Sequence, residues 1–199
     1  MTTAPLENFL LQVHHFTPQQ LYLTGSQAVE KTYRAGDYFA EAGRIAQEIG
    51  FIVSGILRVC YYDRDGTEIT KYFLEENHFV VDLHSYQYQL PATEYVQAVT
   101  DVQALVFPGR AWQALAHTIV DWPKVESILI ARALLEKINR RSSLVGTDAA
   151  TRYRQFLETF PALANRIPLS QLASYIGVTP QTLSRLRRNL SRPAANPEK

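Results

Sequence analysis

The alternation of apolar and polar positions divides the chain into a β-rich part followed by a helical part. Residues 6–23 carry apolar side chains at helical spacing. Between residues 27 and 108, short runs of β-branched and aromatic residues alternate with turns marked by Gly and Asp. Asp65-Gly66 separates the strand-like runs 51–62 and 67–74 and is a strong hairpin signal. Many short strands and turns predict an antiparallel β-roll or sandwich.

Two further strand runs lie within 94–107, and beyond Pro108 the periodicity becomes helical. A short helix is predicted at 110–116 and a long one at 123–145. In the long helix, apolar residues recur three and four positions apart in a narrow stripe flanked by basic residues. Such a stripe favours a seam that pairs with a second copy, the alternative being a helix packed on its own domain. The seam consists of Ile128, Ala131, Leu135, Ile138 and Val145.

Residues 168–190 have the pattern of two short helices joined by a tight turn. Gly177 supplies the left-handed backbone that ends the first helix. Thr179 is a good N-cap for the second helix, and Pro180 is a good first helical residue. These signals predict a helix-turn-helix, with an ordinary helical hairpin as the alternative. The apolar positions of the motif are Leu172, Ile176, Val178, Leu183, Leu186 and Leu190.

The outward face of the second helix supplies the candidate chemistry, because in a helix-turn-helix this helix enters the major groove of DNA. Arg185 can form a bidentate hydrogen bond with a guanine, and Gln181 can form one with an adenine. Thr179, Thr182 and Arg187 are better placed to contact phosphates. For Arg187 and Arg188, exposure to solvent without any DNA contact is the alternative. The predicted DNA-binding residues are Thr179, Gln181, Thr182, Ser184, Arg185, Arg187 and Arg188.

The net charge agrees with this motif only when the N-terminal and C-terminal parts of the chain are counted separately. The 199 residues include 20 basic and 19 acidic side chains, a net charge of +1 that by itself argues against a nucleic-acid partner. Residues 146–199 hold eight basic and three acidic residues, which is +5 and leaves −4 for residues 1–145. This asymmetry favours a polyanionic partner for the C-terminal part.

Several classes of protein are excluded or disfavoured by the sequence. Cys60 is the only cysteine, which excludes an internal disulfide and an iron–sulfur cluster built from one chain. No apolar run approaches the ~20 residues of a membrane-spanning helix, and no signal peptide is visible, so a cytoplasmic protein is expected. The five histidines form no His-x-His pair, and no nucleophile elbow, phosphate loop or zinc motif is present. We therefore expect neither an enzyme nor a metal site.

A β-roll, a long seam helix and a C-terminal helix-turn-helix together resemble the CRP/FNR family of bacterial transcription regulators. The most specific stretch is Ile176–Leu186, and the resemblance covers nearly the whole chain. It implies a homodimer paired along the long helix, with double-stranded DNA and RNA polymerase as partners and an effector bound in the roll. The roll is similar to the family's cyclic-nucleotide-binding fold at Gly36-Asp37, Ala42-Gly43, Gly50–Gly55, Asp65-Gly66 and Phe79.

The resemblance also locates an effector pocket, in which this chain departs from the pattern of the nucleotide-binding members. Those members hold the ribose with a Gly-Glu pair and the cyclic phosphate with an Arg followed by a small hydroxyl residue. When the family's phosphate-binding segment is aligned without gaps from Phe79, the position of its Arg corresponds to Ala92. Loss of the guanidinium removes the strongest partner of a buried phosphate, so cyclic AMP is not the expected effector, whose identity stays unknown. The pocket implied by the resemblance consists of Val81, Asp82, Leu83, Ala92 and Thr93.

The expected protein is therefore an α+β chain made of an effector domain at 1–109, a linker and dimerisation helix at 110–146, and a DNA-binding domain at 147–199. The usual β-hairpin wing after the recognition helix is expected to be absent, since residues 191–199 are rich in Pro and Ala. The expected function is sequence-specific DNA binding by a homodimeric transcription regulator. The alternatives are a cupin-like small-molecule-binding protein or enzyme, and a dimeric interaction module without DNA binding.

Overall fold

The computed structural model describes residues 3–140 and 146–190, in which β-strands are followed by helices. The strands are Val29–Tyr33 (β1), Tyr38–Ala40 (β2), Glu48–Ser54 (β3), Leu57–Tyr62 (β4), Glu68–Leu74 (β5), Phe79–Val80 (β6), Tyr95–Ala98 (β7) and Val102–Pro108 (β8). The helices are Ala4–Val13 (α1), Pro18–Ser26 (α2), Leu83–Tyr88 (α3), Gly109–Thr118 (α4), Trp122–Arg140 (α5), Ala149–Thr159 (α6), Leu169–Ile176 (α7) and Pro180–Leu190 (α8). This α+β architecture confirms the predicted fold class.

The strands form two four-stranded antiparallel sheets that face each other as a roll. The first sheet has the order β1-β8-β3-β6, and the second has the order β2-β7-β4-β5. Alternate side chains of both sheets point inward and form a core of aliphatic residues with Tyr72. Asp65-Gly66 joins β4 to β5 as an antiparallel pair, which confirms the predicted hairpin.

Two of the points at which the chain passes from one sheet to the other lie next to each other, and we call them the first and the second crossing. The first is Gly55, which ends β3 in the first sheet and precedes β4 in the second. The second is Thr100-Asp101, between β7 in the second sheet and β8 in the first. Hydrogen bonds tie the two crossings together, since the Ile56 amide donates to Thr100 Oγ1 (3.0 Å) and the Val99 amide donates to the Ile56 carbonyl (2.8 Å).

The outer face of the first sheet is covered by the N-terminal helices and by α4 and α5. Phe51 and Phe107 of this sheet pack with Phe9, Trp112 and Trp122 of the helices in one buried cluster. The two indole rings lie edge to face, with 5.0 Å between their centroids. Since α5 buries one side in this cluster, its first half is anchored to the roll.

The C-terminal helices α6, α7 and α8, which we call the helical unit (residues 146–190), pack against the second sheet, with α7 lying on β5. Ile56, Phe73 and Val99 of the roll belong to the same buried cluster as Phe156 and Tyr175 of the helical unit. The Phe73 and Tyr175 rings lie 5.5 Å apart. The two parts of the chain therefore share one apolar core, which sequence periodicity did not predict.

Polar contacts fix the orientation of the helical unit on the roll. The Ser174 hydroxyl of α7 accepts from the Thr70 amide and donates to the Glu68 carbonyl, both at 2.9 Å. Arg166 forms two hydrogen bonds with the Glu76 carboxylate, at 2.5 and 3.0 Å. Glu76 Oε1 also accepts from the Gly55 amide (2.8 Å). The first crossing between the sheets is thus connected directly to the helical unit.

Local helix signals were predicted more accurately than helix packing. By residue type either Thr147 or Asp148 could cap α6, and the N-cap is Asp148, whose carboxylate accepts from the Thr151 amide (2.9 Å). These hydrogen bonds from the Thr151 amide and hydroxyl lower the pKa of Asp148. The long helix begins at Trp122, one residue before the predicted start. Its predicted last residue, Val145, lies outside the described residues, as does the segment expected to lack a β wing (191–199).

We predict that Gly55→Ala destabilises the protein far more than Gly66→Ala, although both glycines have positive φ (95° and 78°). A Cβ at position 66 meets nothing within 4 Å, so this variant costs only the backbone strain, about 1–2 kcal/mol. A Cβ at position 55 would lie 2.2 Å from the Asp101 carbonyl oxygen, which adds a clash with backbone and raises the cost to at least about 3 kcal/mol. Urea unfolding of both variants measures the difference, and equal losses would contradict it.

Candidate nucleic-acid interface and effector pocket

The two helices of the predicted motif, α7 and α8, are joined by a tight turn at Gly177. Gly177 has φ 75° and ψ 42°, the left-handed conformation predicted from its position. Its amide donates to the Ser174 carbonyl (3.1 Å) and the Val178 amide donates to the Ala173 carbonyl (3.0 Å). Thr179 then caps α8, since its hydroxyl accepts from the Thr182 amide (3.2 Å). Ala173 is fully buried, as close packing of the two helices requires.

Helix α8 has one buried face and one free face. Leu183 is fully buried, Leu186 is half-buried and Leu190, at the end of the helix, is 44% exposed. On the opposite face Gln181, Arg185 and Arg188 are exposed, and Ser184 is half-buried. Gln181 and Arg185 are four positions apart and therefore lie one turn from each other on the same face. Arg185 forms no hydrogen bond or ion pair with any other residue that the structure describes.

Two arginines of the helical unit hold the motif together instead of facing solvent. Arg187 is half-buried, packs its guanidinium over the Tyr153 ring (5.6 Å to the centroid) and donates to the Ala164 carbonyl (3.1 Å). Arg152 of α6 donates through Nε to the Ile176 carbonyl at the end of α7 (2.6 Å). A phosphate contact by Arg187 would therefore require it to leave this position, whereas Arg185 and Arg188 need no such change.

The predicted seam of α5 is exposed along its described length. Leu135 and Ile138 are 62% and 68% exposed, and Ile128 is 37% exposed. Ala131 is also exposed, and Leu134 (47% exposed) lies beside the stripe. These side chains form an apolar stripe on the surface of the described structure.

The predicted effector residues do not form one pocket. Asp82 and Ala92 line an open pocket of about 630 Å³ at the mouth of the roll, together with the segment 38–48. Val81 and Leu83, on either side of Asp82, line a separate cavity between α3, α4 and α5. Thr93 is exposed and lines neither of them. Val81, Asp82 and Leu83 divide between the two pockets because successive side chains in the extended segment before α3 point in opposite directions.

The pocket at the mouth of the roll does not fit a cyclic phosphate. Asp82 is the N-cap of α3, because its carboxylate accepts from the Ser85 amide (3.0 Å). This hydrogen bond holds the carboxylate at the start of α3, beside the pocket. Glu41 and Glu48 also line the pocket, where Arg44 is 3.5 Å from Glu41 and largely exposed, and Lys31 pairs with Glu48 (2.7 Å). The place of the phosphate-binding Arg is taken by buried Ala92. An acidic lining without a buried guanidinium repels a phosphate.

Two further searches cover only the residues that the structure describes. No three His, Cys, Asp or Glu side chains come together there in a group that could hold a metal ion. None of the helices there has the length and apolar character needed to cross a membrane.

Comparisons with known proteins identify the fold of the chain. The family model described as "Cyclic nucleotide-binding domain" matches residues 30–118. No curated protein matches the chain. Among solved structures, FixK2 from Bradyrhizobium japonicum is 18% identical, with a TM-score of 0.66 over 82% of this chain and 84% of that one.

Two other solved structures have the same arrangement. The c-di-GMP-responsive global regulator CLP from Xanthomonas campestris is 15% identical, with a TM-score of 0.69 over 87% of this chain and 91% of that one. The Catabolite Activator Protein of Thermus thermophilus is 19% identical, with a TM-score of 0.55 over 92% and 86%. Residues 30–118 thus match the model of the cyclic nucleotide-binding domain, and the chain as a whole has the fold of the CRP/FNR transcription regulators.

Proposed function

We propose that the protein is a sequence-specific DNA-binding transcription regulator that acts as a homodimer. The observation that carries the proposal is the free face of α8, on which exposed Gln181, Arg185 and Arg188 stand above a buried leucine face. The Arg185 guanidinium has no partner among the described residues and lies one turn from the Gln181 amide, and this pair matches the donor and acceptor groups of base edges in the major groove. The net charge of +5 on residues 146–199 supports a polyanion on this side.

Within this proposal the residues of the motif have different roles. Arg185 and Gln181 contact bases, and Arg188 and Thr182 contact the backbone. Thr179 caps α8 and Ser184 lies at the margin of the free face. Arg187 supports α8 from behind through Tyr153. Arg154, exposed on α6, offers a further phosphate contact on the same unit.

Two arguments support dimerisation through α5: the two-fold symmetry of the DNA sites that helix-turn-helix proteins bind, and the exposure of the apolar stripe on this helix. Two-fold DNA sites are bound by two copies of a helix-turn-helix, with half-sites about one helical turn apart. The exposed stripe of α5 offers an apolar surface through which two such copies can pair. In this arrangement residues 1–109 sense an effector, residues 110–146 join the copies, and residues 147–199 bind DNA. A contact with RNA polymerase is an additional expectation from the family resemblance.

A dimeric interaction module without DNA binding is the alternative that the next experiment separates from this proposal. The alternative of a cupin-like metal enzyme would need a metal centre, and the described residues bring together no three His, Cys, Asp or Glu side chains that could form one.

We predict that Arg185→Ala weakens binding to the preferred DNA site by about 1–3 kcal/mol and relaxes preference at one base pair. The preferred site is obtained by selection from a random DNA library, and fluorescence anisotropy compares this site with random DNA. Arg110→Ala, an exposed arginine on α4, is the control and is expected to leave affinity for both unchanged. Equal losses on the two DNAs would contradict base contact by Arg185, and no selection of any site by the wild type would contradict the function.

We predict that Ile138→Asp converts the protein to a monomer in solution, since it places a charge in the apolar seam. Sedimentation equilibrium measures the mass of the wild type and of the variant. The control is Lys124→Asp, which places the same charge on an exposed position at the start of α5. A wild type that sediments as a monomer, or a variant that remains a dimer, would show that α5 is not the seam.

We predict that cyclic AMP does not bind at micromolar concentration, because the pocket at the mouth of the roll holds Asp82, Glu41 and Glu48 and has Ala92 in place of a guanidinium. Calorimetric titration of the full chain measures the binding heat. A dissociation constant in the micromolar range would overturn this reading of the pocket.

A further inference from the structure

The cavity between α3, α4 and α5 lies apart from the pocket at the mouth of the roll. It has a volume of about 280 Å³, and its walls come from these three helices and from the end of the first sheet. The wall residues Phe79, Leu129 and Ile130 are apolar, and Ala133 leaves space beside them. An apolar cavity of about 150 Å³ is enough to hold benzene, so this one has room for a ring and a short chain.

One end of the cavity is polar. Trp112 Nε1 donates to Glu126 Oε1 (2.7 Å), and both side chains line the cavity. Tyr86 and Gln113 lie at the same end, and the Tyr86 hydroxyl is 3.4 Å from the Gly109 carbonyl. Burial, and after it the charge of Glu126, raise the pKa of Tyr86. An apolar body with a few convergent polar groups is the usual composition of a small-molecule site.

Glu126 carries the only formal charge in the cavity wall, and no cation balances it. Among the residues that the structure describes, no Lys, Arg or His lies within 4 Å of its carboxylate, and its hydrogen-bond donor is the neutral indole of Trp112. Its second oxygen is therefore free to accept from a ligand. A half-buried carboxylate without a counter-charge favours a ligand that brings a cation.

From this geometry we infer that the cavity binds a small organic amine, with an aromatic or aliphatic body against Phe79, Leu129 and Ile130 and a protonated nitrogen on Glu126. The ligand chemistry is the opposite of that of a cyclic nucleotide, because the cavity wall holds no basic residue. Phosphates and carboxylates are therefore excluded by charge.

The position of the cavity gives the amine a regulatory role if the proposed function holds, and this part of the inference rests on that function. The wall residues Ile130 and Ala133 belong to the same helix as the exposed seam residues Leu135 and Ile138. A ligand that fills the space between α3 and α5 braces α5 against the roll. It would thereby act on the pairing helix without touching the DNA-binding face.

The test is a binding measurement on the full chain without DNA, so its failure would leave the DNA-binding proposal intact. The probes are benzylamine, 2-phenylethylamine and tryptamine, each compared with a neutral counterpart in which hydroxyl or hydrogen replaces the amine, and with phenylacetate. Calorimetry and the shift in melting temperature are the readouts. We expect at least one amine to bind at least about tenfold more tightly than its neutral counterpart, and phenylacetate not to bind.

Variants assign the binding to this cavity. Glu126→Gln keeps an acceptor for the Trp112 indole but removes the charge, so it should weaken the amine about tenfold and leave the neutral counterpart within about threefold. Glu136→Gln makes the same change on α5 outside the cavity and should alter neither affinity. Ala133→Phe fills the cavity and should abolish binding of both. The inference is overturned if none of the amines binds more tightly than its counterpart, or if Glu126→Gln leaves the preference for the amine unchanged.

Discussion

The architecture depends on a single steric requirement, the absence of a side chain at Gly55. Here the backbone of the first crossing passes the carbonyl of Asp101 in the second crossing, so closely that a Cβ would lie 2.2 Å from that oxygen. The positive φ of Gly55 turns the chain from the first sheet into the second. Because both crossings occur at one place, the two sheets are held together at this end by backbone as well as by the aliphatic core between them.

The same place creates the surface on which the helical unit lies. Ile56 and Val99 flank the crossings and present their side chains to Phe156 and Tyr175 rather than to the interior of the roll. Glu76 accepts from the Gly55 amide and from Arg166, and thereby links the crossing to the helical unit. Burial by itself would raise the pKa of Glu76, but the hydrogen bonds from Arg166 and from backbone amides outweigh it, and its pKa is lowered. The carboxylate is thus held in its charged form by the contacts that it organises.

Features encoded by neighbouring residues could be predicted from the sequence, and features that depend on distant contacts could not. The cap at Asp148, the turn at Gly177 and the hairpin at Asp65-Gly66 each follow from residue types at fixed positions. The shared core around Phe73 joins segments that are some 80 to 100 residues apart, and no local pattern marks that pairing. Arg187 illustrates the same limit, since only the fold places Tyr153 beneath it.

The effector residues show how a resemblance can locate a segment but not its geometry. Val81, Asp82 and Leu83 are consecutive, and a gapless count placed them together in one pocket. In the structure, the side chains of Val81 and Leu83 line the cavity between the helices, while Asp82 caps α3 beside the mouth of the roll. The acidic pocket and the apolar cavity are therefore back to back, separated by the thickness of one backbone segment.

The core shared by the roll and the helical unit bears on how the molecule folds. The acidic N-terminal and basic C-terminal parts of the chain are not separate in packing, because Phe156 and Tyr175 of the helical unit pack against Phe73 of the roll. A fragment that begins at residue 146 would expose this aromatic surface to water and would associate through it. The described parts of the chain therefore form one packed unit, and the roll and the helical unit are expected to melt in a single transition and not one after the other.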